Sequence, residues 1–420
     1  MLGVLGGWFF CMTYDVAVVG AGPSGAWTAR SLARRGVRVL LFDPSHPREK
    51  PCGGGITGRA LELVRDAVNS RQLPAISIRS AHFTATWSPR AADVPLADDG
   101  LWVASRSAFD GLLLEAARGS GAEVIESRVT NVGQTGSGFD LETAGGTYHA
   151  TALIGADGAN SLVRRRLGQP FRRDQLSIAT GFFAHGVTSD KILIEFVGEP
   201  PGYLWSFPRP GHLAIGICAQ ADAGVSAAEL RRVAAAWIVQ TGIGGGARLE
   251  PYSWPIPSLS PADFAALQPA GPLGPGARTG AGWLLVGDAA GLVDPITREG
   301  IYFALLSAEW AAEAIVAGGP DLWRRYAERV REGIGGELGR AARIKHRFFR
   351  PRFTRLLIDA LRQSASVRAV MADFVVGRQG YSDLKCRLAR TLQVGLAARY
   401  FLGGAGPPRA AKPSKASERC

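Results

Sequence analysis

The chain has 420 residues, 46% apolar and 20% charged, a balance that excludes global disorder and supplies a large core for two joined lobes. Its longest apolar runs fall short of the roughly 20 residues a bilayer span needs, and five scattered cysteines without metal-ligand spacing exclude a zinc or iron–sulfur framework. The net charge of +12 is concentrated, with 29 basic against 30 acidic side chains in residues 1–330 and 19 against 6 in residues 331–420.

The first eleven residues are apolar but lack a basic start and a cleavage site, so no signal peptide is expected. Met12, directly before the first strand, is the expected translation start. Residues 14–43 read as a βαβ unit: a strand over 14–19, the loop Gly20-Ala21-Gly22-Pro23-Ser24-Gly25, a helix over 26–35 stopped by Gly36, and a strand over 37–42 ending at Asp43. Residues 44–58 form a Gly/Pro-rich loop containing Cys52, Gly53, Gly54 and Gly55. Residues 75–87 read as strand and 106–118 as helix, opening at Arg106. A strand over 150–155 runs into Ala156-Asp157-Gly158. Alternating segments between 176 and 220, with a turn at 209–211, predict an antiparallel sheet. The buried strand over 283–287 ends in Gly287-Asp288, Pro295 follows, and a helix starts near Gly300 and Ile301. Residues 322–402 read as helical, and the tail from 403 as disordered.

The spacing Gly20-x-Gly22-x-x-Gly25, set between strand and helix with Asp43 at the end of the next strand, is a dinucleotide fingerprint. The glycines permit the turn, the approach of a pyrophosphate and close helix packing; the acid accepts from ribose hydroxyls. FAD and NAD share it. Two further glycine-acid steps after strands, at Asp157-Gly158 and Gly287-Asp288, offer carboxylates to ribityl or ribose hydroxyls. The helix opening at Gly300 points free amides at developing negative charge. Tyr203, Trp205 and Phe207 alternate, so on a strand they share one face, as core or as the wall of an apolar cavity. Cys52 is either a residue facing that cavity or a buried filler. Arg106 is either a cofactor contact or a surface arginine.

Together these stretches resemble the glutathione-reductase-type flavoproteins of the para-hydroxybenzoate hydroxylase branch. Lys50-Pro51-Cys52-Gly53-Gly54-Gly55 and Tyr203-Leu204-Trp205-Ser206-Phe207-Pro208 narrow the resemblance to the geranylgeranyl reductase family. It covers roughly residues 13–330, with Arg209 standing where many members carry a lysine. The resemblance implies an α/β fold: a Rossmann-like FAD-binding domain (13–74, 101–170 and 272–330), an inserted antiparallel β-sheet substrate domain (75–100 and 171–271), a basic helical C-terminal region (331–402) and a tail (403–420).

It also implies FAD bound by Gly20, Gly22, Gly25, Asp43, Gly53, Gly54, Arg106, Asp157, Gly158, Gly287, Asp288, Pro295, Gly300 and Ile301, with Cys52, Tyr203 and Trp205 as catalytic residues and no metal. No second dinucleotide loop follows a strand, so NAD(P)H or reduced ferredoxin is the expected transient donor. The expected reaction is saturation of C=C bonds in a geranylgeranyl-type prenyl lipid or prenyl diphosphate by hydride from flavin N5. An FAD monooxygenase using NAD(P)H and oxygen, and an electron-transfer flavoprotein, are the alternatives. A halogenase is disfavoured by the lack of a Trp-x-Trp-x-Ile-Pro motif. The basic C-terminal region is either a solvated face or a contact for the inner membrane face of a cytoplasmic protein; nucleic acid is not an expected partner.

Overall fold

The computed structural model describes residues 14–69, 72–273 and 281–391. The expected start at Met12, residues 392–402 of the expected helical region and the expected tail lie outside the described residues.

The first strand, Tyr14–Val19, buries four successive residues, the pattern of a parallel strand covered on both faces. It pairs in parallel with Val39–Phe42 on one side and Gly146–Gly155 on the other. Gly282–Leu285 adds in parallel beyond the latter, and Glu123–Ile125 beyond the former. Helices Pro23–Ala33, Arg106–Gly119 and Ile301–Ala317 pack together over this sheet. The strand ends before Gly20 and Asp43 and at Gly155 therefore open on one edge, where ligands of doubly wound sheets bind.

A second sheet has seven strands in the order Arg248–Pro257, Leu176–His185, His212–Gln220, Gly202–Arg209, Lys191–Val197, Ser80–Ala85 and Ser88–Pro95. Its neighbours are antiparallel except Lys191–Val197 with Ser80–Ala85, which run in parallel. One face is covered by the helix Ala227–Thr241, whose Leu230, Ala234 and Trp237 pack on Leu213, Ile215 and Ile217. The other face carries Phe83, Phe196, Tyr203 and Trp205 and shares a core with Phe349, Ile358, Leu361 and Val376. Those residues come from the C-terminal helices Gly336–Phe348, Pro351–Gln363 and Ala365–Val375 and from the turns that follow them. The basic C-terminal region thus lies against the aromatic face as part of the same core. A small sheet of Gly55–Thr57, Leu101–Ala104 and Ala75–Ser77 ties the Cys52 loop to the body.

Candidate active site

Between the two sheets and the C-terminal helices lies a continuous cavity of about 940 Å³, at the upper end for a ligand site. The first-strand turn forms one end. Gly20 has φ 99°, and a Cβ there would lie 2.5 Å from the Ala156 carbonyl oxygen. Gly25 packs against Gly20 behind the wall, whereas Gly22 faces open space, with His46 Nε2 the nearest atom at 3.8 Å from where its Cβ would be. No side chain caps the helix that starts at Pro23, so its first amides remain free donors.

Asp43 reaches the cavity, but its carboxylate is already engaged. Oδ2 accepts from the Ala21 amide at 2.9 Å and lies 2.8 Å from His46 Nδ1; Oδ1 accepts from the amides of Ser45 and His46 at 2.8 and 2.9 Å. His46 Nε2 stands 3.5 Å from Asp110 Oδ2, so the imidazole lies between two carboxylates. Burial alone would lower the His46 pKa; Asp110 and Asp43 outweigh it and hold it above 6.5. Burial pushes the Asp43 carboxyl up, but His46 and the backbone donors outweigh this and hold it well below the usual range.

Arg106 also lines the cavity with its donors largely spent. Nε and Nη2 grip Asp110 at 2.9 and 2.7 Å, and Nη1 donates to Cys52 Sγ at 3.6 Å. A second guanidinium reaches the same sulfur: Arg209 Nη2 lies 3.5 Å from Cys52 Sγ. Arg209 is fully buried and ion-paired with Glu49, and it donates to the carbonyls of Cys52 and Gly53. Burial pushes its guanidinium down to about 10, so it stays charged at neutral pH. Glu49 in turn accepts from Ser105 Oγ and the Arg106 amide, capping the Arg106–Gly119 helix from a distant loop. Loop, helix and aromatic strand are thereby joined at Cys52.

The glycines after Cys52 let this loop lie flat on that strand. Gly54 has φ 82°, and a Cβ would meet the Ala104 carbonyl oxygen at 2.5 Å. A Cβ at Gly53 would press on the Phe207 ring at 3.0 Å. Tyr203, Trp205 and Phe207 do share one face and line the cavity. The Tyr203 hydroxyl donates to the Thr297 carbonyl at 3.2 Å, its ring stacks on Phe349 and meets Trp205 edge-on, and Trp205 Nε1 is buried without a partner.

The remaining expected residues divide. Asp157, Gly158, Asp288, Gly300 and Ile301 line the cavity; Gly25, Gly287 and Pro295 do not. Asp157 Oδ2 caps the helix beginning at Leu162, while its Oδ1 is buried without a partner. Asp288 pairs with Lys50 at 3.0 Å. The Ile301–Ala317 helix opens on the cavity without a side-chain cap. Two uncapped helix starts, an orphan acceptor at Asp157 and one continuous cavity fit an extended dinucleotide whose ring reaches the aromatic wall.

Sequence reasoning passed over His46, Glu49 and the C-terminal side chains Phe348, Met371, Phe374 and Val375, which close the far end of the cavity. His46 had a signal, an imidazole three residues beyond the strand-end Asp43. Arg209 stood out as a departure from expectation, and its burial against Glu49 shows what it holds. The C-terminal residues carry no motif.

Residues 13–228 match the FAD binding domain family. Menaquinone reductase of Mycolicibacterium smegmatis is 31% identical over 92% of this chain and 97% of its own. Geranylgeranyl diphosphate reductase of Rhodobacter capsulatus is 30% identical over 73% of this chain and 76% of its own. Among solved structures, a geranylgeranyl bacteriochlorophyll reductase-like protein of Thermoplasma acidophilum superposes with TM-score 0.72 at 21% identity, covering 90% of this chain and 99% of that one. The flavin-dependent brominase Bmp2 shares the fold at TM-score 0.69 and 20% identity, covering 90% of this chain and 99% of its own. The chain belongs to the geranylgeranyl reductase family of FAD-dependent oxidoreductases.

Proposed function

We propose that this protein saturates C=C bonds in the isoprenoid chain of a lipid or a prenyl diphosphate. The observation that carries this reading is the continuity of the cavity, from the Gly22 turn to the wall of Tyr203, Trp205, Phe207, Phe348, Met371 and Phe374. When bound, FAD supplies a hydride at N5. The free amides at Gly22 and at the start of the Ile301–Ala317 helix, with Asp157 Oδ1, are the groups that would hold it.

The aromatic wall excludes water and keeps a flexible chain in one orientation, which an unactivated alkene requires. Tyr203 is anchored by Thr297, so the wall is rigid where it meets the cofactor loop. The second alkene carbon needs a proton, and Cys52, fixed between Arg106 and Arg209, is placed to give it. In this reading the segments 13–74, 101–170 and 272–330 hold the cofactor, and 75–100 with 171–271 hold the chain. NAD(P)H or reduced ferredoxin supplies electrons without a domain of its own. The exposed Arg343, Arg347, Arg352 and Arg355 of the C-terminal helices contact the anionic inner face of the membrane.

The test is turnover with geranylgeranyl diphosphate, a prenyl glycerol phospholipid and menaquinone, with product mass and oxygen uptake recorded together. The expected product is heavier by about two mass units per reduced bond, with the added hydrogens in the isoprenoid chain after reoxidation of any quinol, and without stoichiometric oxygen uptake. An oxygenated product formed with matching oxygen uptake overturns the reading in favour of a monooxygenase. Absence of any product from all three sinks the substrate class.

A further inference from the structure

Arg298 lies in the loop between Asp294 and the Ile301–Ala317 helix and lines the cavity. Its backbone is left-handed, φ 63°, a conformation an arginine keeps only where its surroundings hold it. Its Nη1 donates to Ser258 Oγ at 2.7 Å, and its Nε is buried without a partner. The same Ser258 oxygen accepts from Lys345 Nζ at 2.8 Å, and Lys345 also donates to Gln220 Oε1 at 2.6 Å. Two cations therefore approach to within 5.5 Å across one neutral hydroxyl.

Among the described residues neither cation has a carboxylate ion-pair partner. The adjacent Glu299 is engaged with Arg59 and Thr57. Asp294 accepts from Tyr381 and from the amides of Ile296 and Thr297, and its burial pushes its carboxyl toward the neutral form. Burial, and then the Arg298 charge, push the Lys345 ammonium down to about 7, as expected of a cation short of a counter-ion. Partly buried cations without a compensating anion are unfavourable; Arg298 alone of this group lines the cavity, so an anion at the wall would meet its guanidinium directly, with Lys345 behind Ser258.

We propose that Arg298 and Lys345, joined through Ser258, form a subsite for the phosphate or diphosphate ester at the head of the substrate chain. The inference rests on the prenyl reading of the cavity. The anion point adjoins the aromatic wall, because the Tyr203 hydroxyl is bonded to the carbonyl of Thr297, the residue before Arg298. The guanidinium offers a planar fork suited to phosphate oxygens, and Lys345 behind it, pushed down to about 7 by burial, takes up its full charge beside a bound anion. An isoprenoid with an uncharged quinone head can accept hydrogen bonds here but brings no compensating charge, so the subsite favours phosphate-headed substrates over quinones.

Titration calorimetry on the FAD-loaded protein tests this with three probes: geranylgeranyl diphosphate, geranylgeraniol in the same detergent, and inorganic pyrophosphate. The native protein should bind the diphosphate at least about tenfold more tightly than the alcohol. Arg298→Gln and Lys345→Met should each remove about tenfold of diphosphate affinity, leave the alcohol within about twofold, and weaken pyrophosphate; Lys345→Arg should restore most of the loss. Flavin absorbance and melting temperature identify a misfolded variant, and Ser258→Ala then replaces it with the same expected loss. Equal native affinity for diphosphate and alcohol, or undiminished diphosphate and pyrophosphate binding in the variants, overturns the subsite. If neither prenyl probe binds the native protein, the prenyl reading fails; pyrophosphate binding lost in the variants would still uphold the subsite.

Discussion

Cys52, His46 and Arg209 are joined in one charged network, His46 through Asp110 and Arg106 to the Cys52 sulfur, and Arg209 to the same sulfur. Arg209 is a buried cation whose partner, Glu49, also holds a helix start. Arg209→Met takes the cation from a carboxylate that is 29% exposed and still bonded to Ser105 and the Arg106 amide, and strips the Cys52 and Gly53 carbonyls of their donor; it should cost about 2 kcal/mol, read as a drop in the chemical-denaturation midpoint. Arg209→Lys keeps the charge but loses the planar fork, and should recover only part. His46 gives a pH signature. Its folded pKa is raised above 6.5, so its stabilisation is complete below that value and fades as pH climbs through the folded value. The lowered Asp43 contributes above 3.8 and loses its contribution as pH falls below it. His46→Ala should therefore lower the melting temperature more at pH 6 than at pH 9; an equal loss at both would show that the imidazole is not held charged. If Cys52 delivers the proton as proposed, Cys52→Ala should leave bound flavin intact and bring turnover down by about 10²-fold. Undiminished turnover would assign the proton to another group.

At the scale of elements, strands and cofactor loops were legible because their constraints are local. A parallel strand reads as an apolar run, and the turn after it needs glycine at fixed places. Gly54 shows how strict this is: Gly54→Ala forces a Cβ toward the Ala104 carbonyl at a left-handed φ of 82° and should cost about 2–3 kcal/mol, measured by thermal unfolding. The Ala227–Thr241 helix carries a local signal of its own, the capping box of Ser226 and Glu229. What hid the rest of the site was distance along the chain. Nothing local in Phe348, Met371 or Phe374 says that they meet Tyr203; only the packing of three helices on the second sheet does. Phe374→Ala enlarges the far end of the cavity. It should raise KM for a long prenyl chain about tenfold while a short-chain analogue and flavin content stay unchanged. Equal effects on both chain lengths would remove the helix from the substrate path.

For the whole molecule, the cavity joins three bodies that sequence reading kept apart. The first sheet presents free amides, the second an aromatic face, and the basic C-terminal helices close the space between them. Phe348, Met371, Phe374 and Val375 of these helices line the apolar end of the cavity, while Arg343, Arg347, Arg352 and Arg355 of the same helices are exposed. Among the described residues no helix is long and apolar enough to cross a membrane. Sedimentation with vesicles should show binding to anionic vesicles that weakens with salt, and little binding to neutral ones; salt-insensitive binding to both would assign the contact to apolar surface instead.

The proposed reaction requires a flavin ring to meet an isoprenoid at the wall of Tyr203, Trp205 and Phe207. An anaerobic single-turnover mixing experiment tests it most directly. The protein, reduced beforehand, is mixed with geranylgeranyl diphosphate or menaquinone while flavin absorbance and product mass are followed. The oxidised flavin band should return without oxygen, at the same rate as a product about two mass units heavier appears, one per flavin, with both added hydrogens found in the isoprenoid chain once any quinol has been reoxidised. A flavin that stays reduced with every isoprenoid until oxygen is admitted would contradict the account.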